Sequence, residues 1–90
     1  MPSPSLPDRR KRTTETLAAH LWDLRSQAEA KLRCLTRLQQ HLTQYDSVVD
    51  ETDRADKRQH ILTDLNDIVT ISKALHDVAN LALEEANRLS

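Results

Sequence analysis

The sequence predicts an all-α protein, and three features of its 90 residues support that class. There is no glycine, and the three prolines lie within the first seven residues, so nothing beyond them interrupts a helix. Aromatic residues are limited to one Trp and one Tyr, which leaves too few large side chains for a compact globular core. The apolar residues recur instead at alternating spacings of four and three, the heptad pattern of helices that pack along a seam.

Residues 1–12 are predicted to form a disordered basic arm. The segment is rich in Pro and Ser, lacks apolar periodicity and ends in four consecutive cations, Arg9, Arg10, Lys11 and Arg12. Such a run is interpreted first as a solubilising arm, second as a nuclear import signal and third as a contact for nucleic acid. Nucleic acid ranks last because four charges give only weak, salt-sensitive binding to phosphates.

A first helix is predicted over residues 13–50, with Thr13 or Thr14 as its cap. Its heptad stripe begins at Leu17 and ends at Val49, and Lys31 is the only charged member. The stripe comprises Leu17, Leu21, Leu24, Ala28, Lys31, Leu35, Leu38, Leu42, Tyr45 and Val49. Continued further, the same spacing would select polar residues such as Thr52 and Asp56, so the helix should end near residue 50.

A second helix is predicted over residues 53–89, after a turn near residues 50–53 and with Thr52 or Asp53 as its cap. Its stripe has the same four-three spacing, and Ser72 is its only polar member. The stripe comprises Ile61, Leu65, Ile68, Ser72, Leu75, Ala79, Ala82, Ala86 and Leu89. The two helices have similar lengths, which favours a fold in which the second returns along the first.

The residue numbers test that hairpin. In an antiparallel pair, residues at the same level have numbers with a constant sum, and a sum of 103 places Leu42 opposite Ile61 and Leu38 opposite Leu65. The same sum places the two polar members of the stripes, Lys31 and Ser72, opposite each other. The sequence therefore predicts an antiparallel coiled-coil hairpin of two helices.

The predicted hairpin carries more apolar residues than a two-stranded seam can bury. Beside the seam lie Leu62, Val69 and Leu83 on one flank of the second helix, Ile71 and Val78 on its other flank, and Leu32 on the first helix. We expect these residues to pack against further protein helices, either in a four-helix bundle with a second copy or in a hetero-complex. Trp22 lies outside the seam and is a candidate anchor for a partner. A flatter arrangement, or the N-terminal arm folded back over the flank, is the alternative.

Candidate chemical sites are few. The four histidines, His20, His41, His60 and His76, have no second His or Cys three or four residues away, which argues against a metal site. Cys34 lies among basic residues, a setting typical of reactive thiols, but its position beside the seam is typical of a packing thiol. Without glycine there is no phosphate-binding loop. We therefore expect no enzyme activity, no cofactor and no small-molecule substrate.

We predict a cytoplasmic protein, because the net charge is −1 and a single cysteine is typical of a reducing compartment. The lack of a long apolar run predicts that the chain does not insert into membranes. The basic run leaves nuclear import open. The expected function is that of a protein–protein interaction subunit or adaptor in a coiled-coil complex. The alternative is a homodimeric hairpin that binds nucleic acid through its basic arm. In architecture alone, the predicted hairpin resembles the helical-hairpin subunits of multi-protein coiled-coil assemblies.

Overall fold

The computed structural model describes residues 6–89, and side chains from Arg9 onward. Two helices account for nearly all of this range: α1 covers Leu6–Ser47 and α2 covers Glu51–Ala86. Three residues join them, and no strand occurs in the described part of the chain. At a rise of 1.5 Å per residue, the 42 residues of α1 make a rod of about 63 Å. The predicted all-α helical hairpin is confirmed.

Helix α1 begins at Leu6, whereas the sequence predicted its start at residue 13 after a disordered arm. The basic run is therefore helical within the described residues, and residues 1–5 lie outside them. Pro7 is compatible with this start because the first turn of a helix needs no backbone N–H from that position. Arg and Lys also have high helix propensity. Thr14 does not cap the helix, since its hydroxyl donates to the Lys11 carbonyl at 2.8 Å.

The turn between the helices lies slightly earlier than predicted. Asp50, and not Thr52 or Asp53, is the N-cap of α2, and its carboxylate accepts a hydrogen bond from the Thr52 N–H at 3.2 Å. Asp has this role because its short carboxylate reaches a backbone N–H that the first helical turn leaves without a partner. Arg54 then donates to the Val48 carbonyl at 3.2 Å and ties the start of α2 to the connecting segment.

The register of the hairpin agrees with the predicted one. Arg37 contacts Asp64 at 3.5 Å and Asp67 at 3.1 Å, and the rings of His41 and His60 lie 5.1 Å apart. The residue numbers of each of these pairs add up to within two of 103, as an antiparallel arrangement with that register requires. Lys31 and Ser72 are both half-buried at the same level of the rod.

The seam itself differs from the predicted one at every second position. On α1 and the connecting segment the least exposed residues follow the heptad rule as Thr13, Leu17, His20, Leu24, Gln27, Lys31, Cys34, Leu38, His41, Tyr45 and Val48. On α2 they are Lys57, Ile61, Asp64, Ile68, Ile71, Leu75, Val78, Ala82 and Glu85. Half of each predicted stripe is retained, and the other half is replaced by the residue one place earlier. Each helix is thus rotated so that a row of leucines turns away from the seam.

The interior of the described hairpin is consequently thin and partly polar. The residues buried from solvent are Cys34, Thr13 and Asp64, and no side chain is completely enclosed. A polar interior of this kind stabilises a helix pair weakly, because it removes little apolar surface from water. The larger part of the aliphatic surface lies outside the seam.

Candidate interaction surface

A second heptad row runs along each helix beside the seam, and it is mainly apolar. On α1 and the connecting segment it consists of Ala18, Leu21, Arg25, Ala28, Leu32, Leu35, Gln39, Leu42, Asp46 and Val49, the last of which follows the end of the helix. On α2 it consists of Arg58, Leu62, Leu65, Val69, Ser72, His76, Ala79, Leu83 and Ala86. We call these two rows together the outer face. In a helix that turns 100° per residue, the centre of this row lies about 100° from the centre of the seam.

The two rows lie on the same side of the hairpin. The seam positions are alternately three and four residues apart. In an antiparallel pair, the residues that directly follow the end of each three-residue step point to the same flank on both helices. Leu21, Leu35 and Leu42 occupy that place on α1, and Leu65 occupies it on α2. These leucines line one flank of the rod.

The outer face carries most of the exposed aliphatic surface of the described chain. Nine of its side chains are large and exposed: Leu21, Leu32, Leu35, Leu42, Val49, Leu62, Leu65, Val69 and Leu83. Nine such side chains, each roughly half exposed, offer on the order of 500 Å² of aliphatic surface. The largest apolar patch on a typical monomeric protein is about 300–600 Å², and patches of this size commonly mark interaction sites.

The structure places four of the predicted partner-binding residues on this face. Leu32 is 62% exposed, Leu62 48%, Val69 66% and Leu83 60%. Ile71 and Val78 are different, since both are half-buried in the seam against α1. Their assignment to a free flank is corrected, because the rotation of α2 brings them inward in place of Ser72 and Ala79.

The leucines that the rotation releases were not predicted as partner-binding residues. Leu21, Leu35, Leu42 and Leu65 are 43–53% exposed, although the sequence placed them in the seam. A stripe that is apolar at three adjacent heptad positions is compatible with two rotations of the helix. The signal that could have separated the two is the charge pair Arg37 and Asp67, since it joins the helices only in the observed rotation.

The opposite flank of the hairpin is polar. Its interhelical pair is Arg37 with Asp67, in which the guanidinium donates to the carboxylate at 3.1 Å. A shallow groove on this flank is lined by Arg37 and Asp67 together with Arg33 and Thr70. Leu81 is the large aliphatic residue exposed on this flank, with 52% of its surface open. The two flanks of the hairpin therefore differ: one is apolar and the other is polar.

A polar cluster crosses the seam near the turn. Asp64 is 3% exposed and pairs with both His41 and Arg37. Asp64 turns to α1, and the ring of His60 lies against that of His41. Cys34 is 6% exposed, and its sulfur accepts a hydrogen bond from Arg37 at 3.3 Å. No group of three or more His, Cys, Asp or Glu among the described residues is arranged to hold a metal ion.

Trp22 borders the outer face, since it contacts Arg25 of that face, and the basic run precedes Ala18, the first residue of the face. Trp22 is 69% exposed on the back of α1, where the Arg25 guanidinium lies 5.3 Å from the ring centroid. The four cations of the basic run, Arg9, Arg10, Lys11 and Arg12, are all exposed. Arg9 and Arg12 border a shallow cleft together with Glu85 and Arg88 at the end of the rod that contains both outer helix ends.

Comparisons with protein-family models, with curated proteins and with solved structures find no match for this chain. Neither of the two described helices contains an apolar stretch long enough to cross a membrane.

Proposed function

We propose that this chain is a non-enzymatic interaction subunit whose hairpin adds two helices to a larger helical bundle. The observation that carries the proposal is the outer face, with nine large aliphatic side chains exposed along one flank. An aliphatic surface of this size in water is unfavourable by about 25 cal/mol per Å², so a partner that covers it gains that free energy.

The geometry of the two rows indicates the kind of partner. Each helix has one row facing its neighbour in the hairpin and a second row about 100° away. A helix in a four-helix bundle has two neighbours in directions close to a right angle, so it needs two such rows. The partner surface that fits the outer face is therefore a pair of protein helices.

The residues that a catalytic interpretation would use have structural roles in this proposal. The thiol of Cys34 is buried in the seam, and Asp64 and His41 are paired with each other across it. Paired polar groups of this kind offset the cost of placing charge between two helices.

Site-specific photo-crosslinking tests the proposal. A benzoylphenylalanine at Leu65 on the outer face is compared with one at Leu81 on the polar flank, since the two leucines are 44% and 52% exposed on the same helix. We expect defined protein adducts from position 65, in cells of the natural source, and few from position 81. Equal crosslinking from the two positions, or none from position 65, would contradict the proposed interaction surface.

A further inference from the structure

We propose that the partner of the outer face is a second copy of this chain, packed so that the turns of the two hairpins lie at opposite ends of a four-helix bundle. This inference rests on the proposed function, because it names the occupant of the same surface. Three properties of the described residues support it: the size of the face, the distribution of large and small side chains along it, and the charge of its two ends.

The area of the face fits a dimer. A stable interface between two proteins buries about 800 Å² on each partner. The nine aliphatic side chains supply on the order of 500 Å² of that area, and the polar residues of the same rows and their rims supply the remainder. An interface between two copies also needs a surface that is complementary to itself.

Large and small residues are unevenly distributed along the face. The half near the turn carries Leu35, Leu42, Leu62, Leu65 and Val69. The half near the open end carries four alanines, at positions 18, 28, 79 and 86, and two leucines, Leu21 and Leu83. Two copies with their turns at the same end would place the two leucine-rich halves against each other and the two alanine-rich halves against each other. Layers of even volume pack better, which favours opposite ends.

One register gives this pairing at two levels of each helix. If Leu32 of one copy lies against Ala28 of the other, antiparallel packing about the same midpoint of α1 brings Leu42 against Ala18. Along α2, the midpoint that brings Val69 against Ala79 also brings Leu62 against Ala86. The two midpoints are residues 30 and 74, which lie at one level of the hairpin, as Arg37 and Asp67 do. A single two-fold axis across the rod therefore accounts for both helices.

The charges at the two ends of the rod are complementary. Residues 46–58 around the turn contain five acidic side chains, Asp46, Asp50, Glu51, Asp53 and Asp56, and three basic ones, Arg54, Lys57 and Arg58. Residues 9–16 and 84–88 at the open end contain five basic side chains, Arg9, Arg10, Lys11, Arg12 and Arg88, and three acidic ones, Glu15, Glu84 and Glu85. Opposite ends place the net negative turn of one copy beside the net positive open end of the other.

The mass in solution tests the second copy as the occupant. We expect light scattering of the purified chain to give twice the 10.3 kDa mass of one chain, with strongly helical circular dichroism. Leu62→Glu should raise the dissociation constant at least a hundredfold, whereas the control Leu81→Glu should change it less than threefold. These two leucines lie on the same helix and are 48% and 52% exposed. Equal effects of the two substitutions would overturn the assignment of the dimer to this face.

The distance between two spin labels tests the orientation. A nitroxide is attached at Thr43→Cys, on the exposed back of α1, with Cys34 replaced by alanine. Thirteen residues from the two-fold axis, the two labels should lie about 40 Å apart along the rod. A distance of no more than about 25 Å would indicate turns at the same end and would overturn the proposed arrangement.

A monomeric wild-type chain would overturn self-association whether or not it is helical. If that monomer still crosslinks from position 65 to another protein, the proposed function stands and only its partner is wrong. If it crosslinks to nothing, both proposals fail.

Discussion

Asp64 shows how a single side chain compensates for a polar position between two helices. Its carboxylate is almost completely shielded from solvent; on the opposite helix it forms an ion pair with Arg37 and a hydrogen bond with His41. An aspartate in this place would strongly destabilise the hairpin without partners, because burial removes its hydration. The pair with Arg37 also fixes the rotation of α2, since it forms only when position 64 faces α1.

Removing this carboxylate should destabilise the protein more than removing its exposed neighbour. We expect Asp64→Ala to lower the free energy of unfolding by about 1–3 kcal/mol, since Arg37 and His41 lose a buried partner. Asp67→Ala removes a half-exposed ion pair with the same arginine and should cost less than about 1 kcal/mol. Urea unfolding, followed by circular dichroism at one fixed protein concentration, measures both. Equal losses would mean that Asp64 is not buried in the folded protein.

At the scale of the helices, the start of α2 depends on one cap. The carboxylate of Asp50 accepts from the Thr52 N–H, and Glu51 and Asp53 place negative charge in the first turn, where the helix dipole favours it. Capping and charge together fix where the chain reverses direction. The glycine-free connection of three residues needs such a signal, because it has no residue that favours a positive φ.

We expect Asp50→Ala to lower the free energy of unfolding by about 1 kcal/mol, because the first turn of α2 loses its cap. Asp50→Asn is the matched control: its amide oxygen still accepts the hydrogen bond, so the loss should be at most a few tenths of a kcal/mol. The midpoint of thermal unfolding distinguishes the two variants. If asparagine costs as much as alanine, the contribution of Asp50 is its charge and not its hydrogen bond.

The helices and their register followed from the sequence, but the rotation of each helix did not. The absence of glycine and the position of the prolines were enough to predict two long helices, and the level of Lys31 with Ser72 fixed their alignment. The rotation depends on which of two overlapping apolar rows meets the neighbouring helix, and periodicity alone does not decide that. Leu35 and Cys34 are adjacent apolar residues, and the sequence pattern alone does not say which of them faces α2. In the structure Cys34 is buried, and the Arg37–Asp64 ion pair joins the helices in the same rotation.

The same ambiguity in helix rotation explains why some of the predicted partner-binding residues lie on the outer face and others lie in the seam. Leu62, Val69 and Leu83 lie outside the seam in both rotations, beside it in the predicted one and further from it in the observed one, and they are exposed. Ile71 and Val78 lie at the boundary, and a small rotation moves them from the flank into the seam. The start of α1 was predicted late because Pro and Ser at the N-terminus resemble a disordered segment until the helical preference of the basic run is counted.

At the scale of the whole molecule, the two ends of the rod carry opposite net charge. The turn carries an excess of two negative charges and the open end an excess of two positive ones, from five against three in each case. Attraction between such ends is long-ranged and adds to the apolar contacts along the outer face. The apolar contacts respond little to moderate salt, whereas the attraction between the ends is screened by it.

The response of the dimer to salt therefore depends on its orientation. With opposite ends together, we expect association to weaken by about two- to tenfold when sodium chloride is raised from about 50 to 500 mM, because the Debye length falls below the spacing of the end charges. With like ends together, the same change would relieve repulsion and strengthen association. Replacing Arg9, Arg10, Lys11 and Arg12 by glutamine leaves one basic against three acidic side chains at the open end, so it should weaken the dimer in low salt, reverse the sign of the salt dependence and leave the high-salt dissociation constant nearly unchanged. Sedimentation equilibrium over this range measures all three quantities, and a wild-type dimer that tightens with added salt would contradict the opposite-end arrangement even if its mass is that of two chains.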